Sequence, residues 1–202
     1  MDVECLNMDV VVFHFPSEEI MESIKHRGSW SFHGYPVILV PLLPCMQPRS
    51  IIFRFMEIGV RAYNIPDDAR NPAVRSLIAR ALGTEVLSAP IPYRRNLDDF
   101  MWFRVSIDMD RPLRRNVQLQ FPGHLVSSVV ELQYERLPGY CARCGRLTHR
   151  IAECQANIRG VSKGEIRFTD SLRVYMDLNV DRLIRTEWGA RGCKLSPRWM
   201  NF

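Results

Sequence analysis

The sequence predicts an α+β fold that is followed by a small metal-binding module and a poorly defined tail. Two segments place apolar residues at helical spacing between strand-like runs, and after residue 100 apolar and polar residues alternate. Alternation with a period of two is typical of antiparallel strands with one face in water. The third observation is a close group of cysteines and a histidine between Cys141 and Cys154. With 202 residues, 47% of them hydrophobic, the chain can form a folded core.

The first segment, residues 1–48, has the pattern of a strand, a helix and a second strand. Val10–Phe15 is a short apolar run that suits a buried strand. Ser17 then provides a helix N-cap, and two acidic residues follow it in the first turn. The apolar run Val37–Leu42 predicts the second strand. The proline-rich stretch Pro41–Pro48 predicts a linker, which ends this part of an α+β domain.

The second segment, residues 49–137, repeats this order and then continues as antiparallel strands. Strand material lies within Ile51–Tyr63. Asn71 and Pro72 are a capping side chain followed by a proline at the first helical position, which together predict the start of a helix. The alternating residues after the helix predict strands over residues 101–107, 117–121 and 130–134.

The strongest functional signal is the spacing Cys-x2-Cys-x4-His-x4-Cys, formed by Cys141, Cys144, His149 and Cys154. Zinc is held by four tetrahedral nitrogen or sulfur ligands in structural sites, so these residues predict one structural Zn²⁺ ion. Gly145 follows the second cysteine, where a tight turn commonly needs a positive φ. Such a short loop has no core of its own, and metal binding should supply most of its folding free energy. We therefore predict a zinc knuckle over residues 138–156.

The charge around the knuckle favours a polyanionic partner. The chain has a net charge of +5, which by itself is weak evidence. More specific is a group of arginines around the knuckle that could contact phosphate: Arg136, Arg143, Arg146, Arg150 and Arg159. The prediction is low-specificity binding of single-stranded RNA or DNA. The alternative is a zinc-stabilised protein-interaction module whose basic face binds an acidic partner.

Longer motifs resemble a known family. The stretches Trp30–Leu39 and Tyr134–Cys141, the second reading Tyr-Glu-Arg-Leu-Pro-Gly-Tyr-Cys, resemble plant proteins with domain of unknown function 4283 and a zinc knuckle. These are similar to the gag-like protein of plant LINE-type retroelements or to host genes derived from one. The resemblance covers residues 10–155 and implies zinc and nucleic-acid binding, with no known catalysis. It also implies that residues 1–42 are the second half of a truncated, RNA-recognition-like unit.

Two positions depart from the usual knuckle pattern. Ala142 stands where an aromatic or bulky residue often stacks on a base, and Thr148 replaces the glycine that usually precedes the histidine. The candidates that remain for apolar contact with a base are Tyr140 and Ile151.

The remaining features predict neither an enzyme nor a membrane protein. We find no nucleophile with a base at catalytic spacing, no phosphate-binding glycine loop and no signal peptide, so we expect a non-enzymatic protein of the nucleus or cytoplasm. Self-association is a further expectation for the α+β part. Trp102 and Arg104 lie on the polar side of a strand, where they could form a base-stacking platform, although packing against a helix is the preferred interpretation. In the tail, residues 157–202, a helix is predicted to begin at Thr169 or Asp170 and run through Tyr175 and Met176.

Overall fold

The computed structural model confirms an α+β fold, described over residues 2–7, 10–87, 99–121, 123–158, 162 and 165–174. Within these residues lie two α-helices and nine strands. In chain order they are β1 (Asp2–Cys5), β2 (Val11–His14), α1 (Glu18–Arg27), β3 (Trp30–Phe32), β4 (Tyr35–Val37), β5 (Phe55–Tyr63), α2 (Pro72–Leu82), β6 (Thr84–Glu85), β7 (Phe100–Asp108), β8 (Asn116–Leu119) and β9 (Ser128–Tyr134). Among the same residues, no helix is long and apolar enough to cross a membrane.

Both helices begin where the sequence predicts, because local capping groups fix their first turns. Ser17 caps α1 by accepting a hydrogen bond from the backbone N–H of Ile20 at 3.4 Å. Asn71 caps α2 by accepting one from Val74 at 3.1 Å, and Pro72 occupies the first helical position. A cap satisfies backbone donors that have no partner within the helix.

A five-stranded antiparallel sheet in the order β6-β7-β5-β9-β8 forms the centre of the protein. The strands predicted after residue 100 are confirmed, and their apolar residues face one side. Helix α2 packs on that side through Val74, Ile78 and Ala79, of which the last two are fully buried. Burial of this face is the main stabilising contribution to the domain, at about 25 cal/mol per Å² of apolar surface.

The strands of the first segment form two separate hairpins, in which β1 pairs with β2 and β3 pairs with β4. The prediction of a strand over Val37–Leu42 is wrong, because the strand ends at Val37 and the following residues pair with none of the described strands. His33 and Gly34, with φ of 49° and 80°, form the two-residue turn that sets the register of the second hairpin. The apolar run beyond it contributes by packing, since Ile38 lies against the core.

The polar face of the sheet is covered rather than open. Arg104 is only 5% exposed and donates a hydrogen bond to the carbonyl of His26 at 2.6 Å. Trp102 donates to the Glu135 carboxylate at 3.0 Å. Burial lowers the pKa of Arg104 despite the nearby carboxylate of Glu57. Arg104 thus packs against α1, whereas the contact of Trp102 is with the residue that follows β9 and not with a helix. Neither side chain is an exposed stacking platform.

Residues 165–174, which we call the strap, lie against the knuckle and the end of the sheet. Phe168 and Leu172, 9% and 1% exposed, belong to the same hydrophobic core as the sheet. Two backbone N–H groups of the strap donate to the carbonyl of Ala142, both at 2.9 Å. The backbone N–H of Val174, the last residue of the strap, donates to the carbonyl of Tyr134 at 3.1 Å. This part of the predicted tail is therefore packed and hydrogen-bonded.

Among the described residues of the tail, the predicted helix corresponds to a single turn. Asp170–Leu172 form a 3-10 helix with Thr169 at the N-cap, and the following residue has extended backbone angles. The later residues of the predicted helix, Tyr175 and Met176 among them, lie outside the described residues.

Candidate metal centre and the surface around it

The four predicted ligands converge on one point. One donor atom from each of Cys141, Cys144, His149 and Cys154 lies within 4.8 Å of every other. Ligands placed about 2.3 Å from a tetrahedral zinc ion are about 3.8 Å apart, so this donor set fits one structural zinc ion. All four coordination positions are then filled by protein. A zinc ion bound here would cross-link the loop through its four ligands.

Backbone hydrogen bonds shape the first turn of the site. The N–H of Gly145 donates to the carbonyl of Cys141 at 2.7 Å, and the N–H of Cys141 donates to the carbonyl of Arg146 at 2.8 Å. Gly145 adopts a φ of 77°, as its sequence position predicts. The glycine therefore allows both cysteine side chains of the turn to face the same ion.

His149 presents its Nε2 atom to the cluster, 3.2 Å from the sulfur of Cys144. Its other ring nitrogen, Nδ1, lies 3.3 Å from the hydroxyl of Thr148. With Nε2 on a zinc ion, Nδ1 would carry the proton and would donate to this hydroxyl, which would fix the ring orientation. Thr148, a departure from the usual glycine, thereby supports the histidine ligand.

The cysteines of the cluster differ in their environment. Burial raises the pKa of Cys144 to about 11. Burial also acts on Cys154, but hydrogen bonds from the Ala156 backbone and from the His149 and Arg143 side chains outweigh it and lower its pKa to about 6. Zinc replaces the thiol protons when it binds, and the lower pKa means that Cys154 gives up its proton more easily than Cys144.

Arg143 is buried beside the metal cluster, although its position in the sequence suggests a surface residue. We predicted a phosphate contact, but the residue is only 8% exposed. Its Nη1 atom donates to the carbonyl of Ala156 at 2.6 Å and lies 3.6 Å from the sulfur of Cys154. Its Nε atom donates to the carbonyl of Ser162 at 3.4 Å. The guanidinium is therefore directed at the metal cluster and at the chain that follows it, so the structure corrects the predicted surface role.

Two other predicted arginines connect the knuckle region to the N-terminal segment. Arg150 donates to the carbonyl of His33 at 2.9 Å, and its guanidinium carbon lies 4.6 Å from the ring centre of Tyr35. Arg136 donates to the carbonyl of Arg27. Both side chains remain half-exposed, but their donors are partly used within the protein.

Among the other predicted contacts, exposure decides which ones a nucleic acid can reach. Arg146 is exposed and Ile151 is 40% exposed. The hydroxyl of Tyr140 donates to the carbonyl of Thr169 at 2.8 Å, which holds the ring against the strap. Arg159 lies outside the described residues.

Three arginines that the fold brings to the knuckle were not predicted from the sequence, namely Arg114, Arg115 and Arg167. The N–H of Leu113 donates to the carbonyl of Gly145 at 2.9 Å, so the loop before β8 runs beside the first knuckle turn and brings Arg114 and Arg115 with it. Arg115 also donates to the carbonyl of Arg167 in the strap at 3.2 Å. The arginine-rich run at residues 111–115 was a visible signal, but its distance from Cys141 in the sequence hid the connection.

Comparison with known proteins supports the metal site. A family model described as a zinc knuckle matches residues 107–156, about a quarter of the chain. The matched region begins at the end of β7 and includes β8, β9 and all four ligands. No curated protein and no solved structure matches the chain. The fold and the site thus define an α+β protein that carries a Cys-Cys-His-Cys zinc knuckle.

Replacing Gly145 with alanine should destabilise the knuckle through two separate effects. The positive φ disfavours any side chain by about 1–2 kcal/mol, and a Cβ would lie 2.4 Å from the ring of Phe168. We expect the total loss of unfolding free energy to reach about 2–4 kcal/mol, as for other strained or overpacked positions. Urea denaturation of the zinc-loaded protein measures it.

Gly123→Ala is the matched control, because Gly123 has a φ of 82° and nothing within 4 Å of the added Cβ. The loss of unfolding free energy in Gly123→Ala should therefore reflect backbone strain alone. Equal losses for the two variants would contradict the proposed contact between Gly145 and Phe168.

Proposed function

We propose that this protein binds single-stranded RNA or DNA through its zinc knuckle, with low sequence specificity and without catalysing a reaction. The observation that carries the proposal is the convergence of four zinc ligands within 4.8 Å in a segment that matches a zinc knuckle family. Four protein ligands leave the metal no open position for water or substrate, which favours a binding role.

The surface of the knuckle supports a nucleic-acid partner. Arg146 is exposed directly after the glycine turn, where its guanidinium can contact a phosphate. Ile151, 40% exposed, offers an apolar surface next to the histidine ligand. With Ala142 after the first cysteine, base stacking contributes little, and phosphate contacts should dominate the affinity.

The resemblance to gag-like proteins of plant LINE-type retroelements leads to the finer part of the proposal. We propose that the chain is a gag-like protein or derives from one, and that it acts in the nucleus or cytoplasm. Self-association through the α+β part remains a prediction.

Oligonucleotide binding measured by fluorescence anisotropy tests the proposal. Zinc-loaded protein should bind labelled single-stranded RNA and DNA at low salt, and affinity should fall steeply as salt rises because phosphate contacts release counterions. Removal of zinc with a chelator should abolish binding. Arg146→Gln should weaken it several-fold, while Arg146→Lys should retain most of it. Absence of binding by the zinc-loaded protein at low salt would refute the proposal.

A zinc-stabilised protein-interaction module is the second candidate, favoured by an exposed apolar pair in the loop before β9. Leu125 and Val126 are 97% and 75% exposed, which is more typical of a protein contact than of a phosphate contact. This function predicts that oligonucleotide binding is absent and that Leu125→Ser weakens association with the partner.

A further inference from the structure

Several arginines in the described part of the chain already have a carboxylate partner. Arg54 pairs with Asp108 at 2.7 Å, Arg61 with Glu135 at 2.7 Å and Arg75 with Glu85 at 2.8 Å. Such pairs largely cancel the local field and leave little positive potential for a ligand. An arginine that binds phosphate should be exposed and have no acidic partner.

Four arginines around the knuckle meet both conditions. Arg114, Arg115, Arg146 and Arg167 are exposed, and none of them forms an ion pair with a carboxylate among the described residues. We call them the arginine surface. They come from three separate segments, namely the loop before β8, the knuckle turn and the strap.

Hydrogen bonds bring these three segments together. The N–H of Leu113 donates to the carbonyl of Gly145 at 2.9 Å, which holds the loop that carries Arg114 against the knuckle turn that carries Arg146. Arg115 donates to the carbonyl of Arg167 at 3.2 Å. Phe168 fills the space next to Gly145, where a Cβ would lie 2.4 Å from its ring, and thereby fixes the strap against the knuckle turn.

The acidic groups near this surface are too few to neutralise four arginines, and two of them have cation partners of their own. Asp108 pairs with Arg54 at 2.7 Å and with Arg111 at 3.4 Å. Asp110 lies 3.8 Å from Arg54, and the Glu165 carboxylate accepts a hydrogen bond from the N–H of Ser162 at 3.1 Å. Glu165 therefore keeps its negative charge, but one carboxylate beside four arginines leaves the surface net positive.

We infer that the arginine surface binds the phosphate backbone of a single-stranded nucleic acid, so that the site extends beyond the knuckle onto the sheet loop and the strap. This inference rests on the proposed function and deepens it. Guanidinium groups bind phosphate oxygens through paired N–H donors, and several on one surface can follow a backbone. The knuckle contributes only Arg146, and the other three arginines come from the loop before β8 and from the strap.

The double variant Arg114→Gln/Arg167→Gln tests the inference, because these side chains are outside the knuckle and form no hydrogen bond or ion pair among the described residues. Four phosphate contacts predict a salt slope of about −2.8 for log affinity against log salt, and the variant should reduce it to about −1.4. Affinity at near-physiological salt should fall about tenfold. The probe is a fluorescein-labelled single-stranded oligonucleotide with the full, zinc-loaded chain.

The control is Arg49→Gln/Arg80→Gln, which removes the same charge from two exposed positions elsewhere in the fold. It should leave both the slope and the affinity near those of the unaltered protein. Arg114→Lys/Arg167→Lys should restore most of the slope. Zinc content and thermal unfolding of every variant establish that the fold is retained.

The possible results separate this inference from the proposed function. If the unaltered protein binds no oligonucleotide, the proposed function fails. If it binds but Arg114→Gln/Arg167→Gln matches the control, the inference fails while the proposed function stands. If polyglutamate binds as tightly as the oligonucleotide, with the same loss in the variant, the surface binds acidic protein and the nucleic-acid inference is overturned.

Discussion

His149→Ala is expected to abolish stoichiometric zinc binding and to unfold the knuckle. Structural zinc sites of this kind contribute about 10–16 kcal/mol of apparent binding free energy, and three ligands cannot hold the ion in a closed site. The effect should spread beyond the loop, because Leu147 is 3% exposed and belongs to the core of the sheet. Losing that contact should lower the free energy of unfolding by about 2–5 kcal/mol.

Elemental analysis and chemical denaturation measure the two effects. His14→Ala is the control, since His14 lies at the end of β2, outside the metal cluster, and its removal should leave zinc content unchanged. His149→Cys keeps four ligands and should retain one zinc ion per chain. A His149→Ala protein that still holds one zinc ion with unchanged affinity would show that the ligand assignment is wrong.

Arg143→Gln is expected to weaken zinc binding by about 10–100-fold, as for loss of other groups that support metal ligands. Three thiolates and one Zn²⁺ ion leave a net charge of −1 in the site. Arg143, with its Nη1 atom 3.6 Å from the Cys154 sulfur and only 8% of its surface exposed, balances that charge. Glutamine removes the charge and cannot donate to Cys154, Ala156 and Ser162 together.

Competition with a chromophoric chelator measures the zinc affinity of the variants. Arg146→Gln is the matched control, because it removes the same charge three residues further on from an exposed position. The zinc affinity of Arg143→Lys should lie between those of Arg143→Gln and Arg146→Gln, since an ammonium keeps the charge but lacks the planar set of donors. Equal zinc affinities for Arg143→Gln and Arg146→Gln would disprove a role for Arg143 in the metal site.

The features that were predictable from the sequence depend on neighbouring residues. Ser17 and Asn71 cap helices through donors three residues away, and the knuckle ligands are fixed by spacing within one short loop. Gly145 takes its positive φ for the same local reason. Spacing, capping chemistry and backbone restrictions act over a few residues, and a single sequence contains all of them.

The features that were missed depend on contacts between distant segments. Arg143 looks like any other knuckle arginine until the chain near Ser162 returns to accept its hydrogen bond. Phe168 is a single aromatic residue without periodic neighbours, so nothing in the sequence indicates that it packs against Gly145. The apolar run Val37–Leu42 suits a strand, but strand formation needs a partner, and beyond Val37 none of the described strands pairs with it.

The strap limits how far the knuckle can be treated as an independent part. The family match ends at residue 156, yet Phe168 and Leu172 complete the core beneath the metal loop. A graft of residues 141–154 into another protein would carry the ligands without the ring that supports their turn or the carbonyls that hold Arg143. The transferable unit, for engineering or for domain exchange, is the sheet, the knuckle and the strap together.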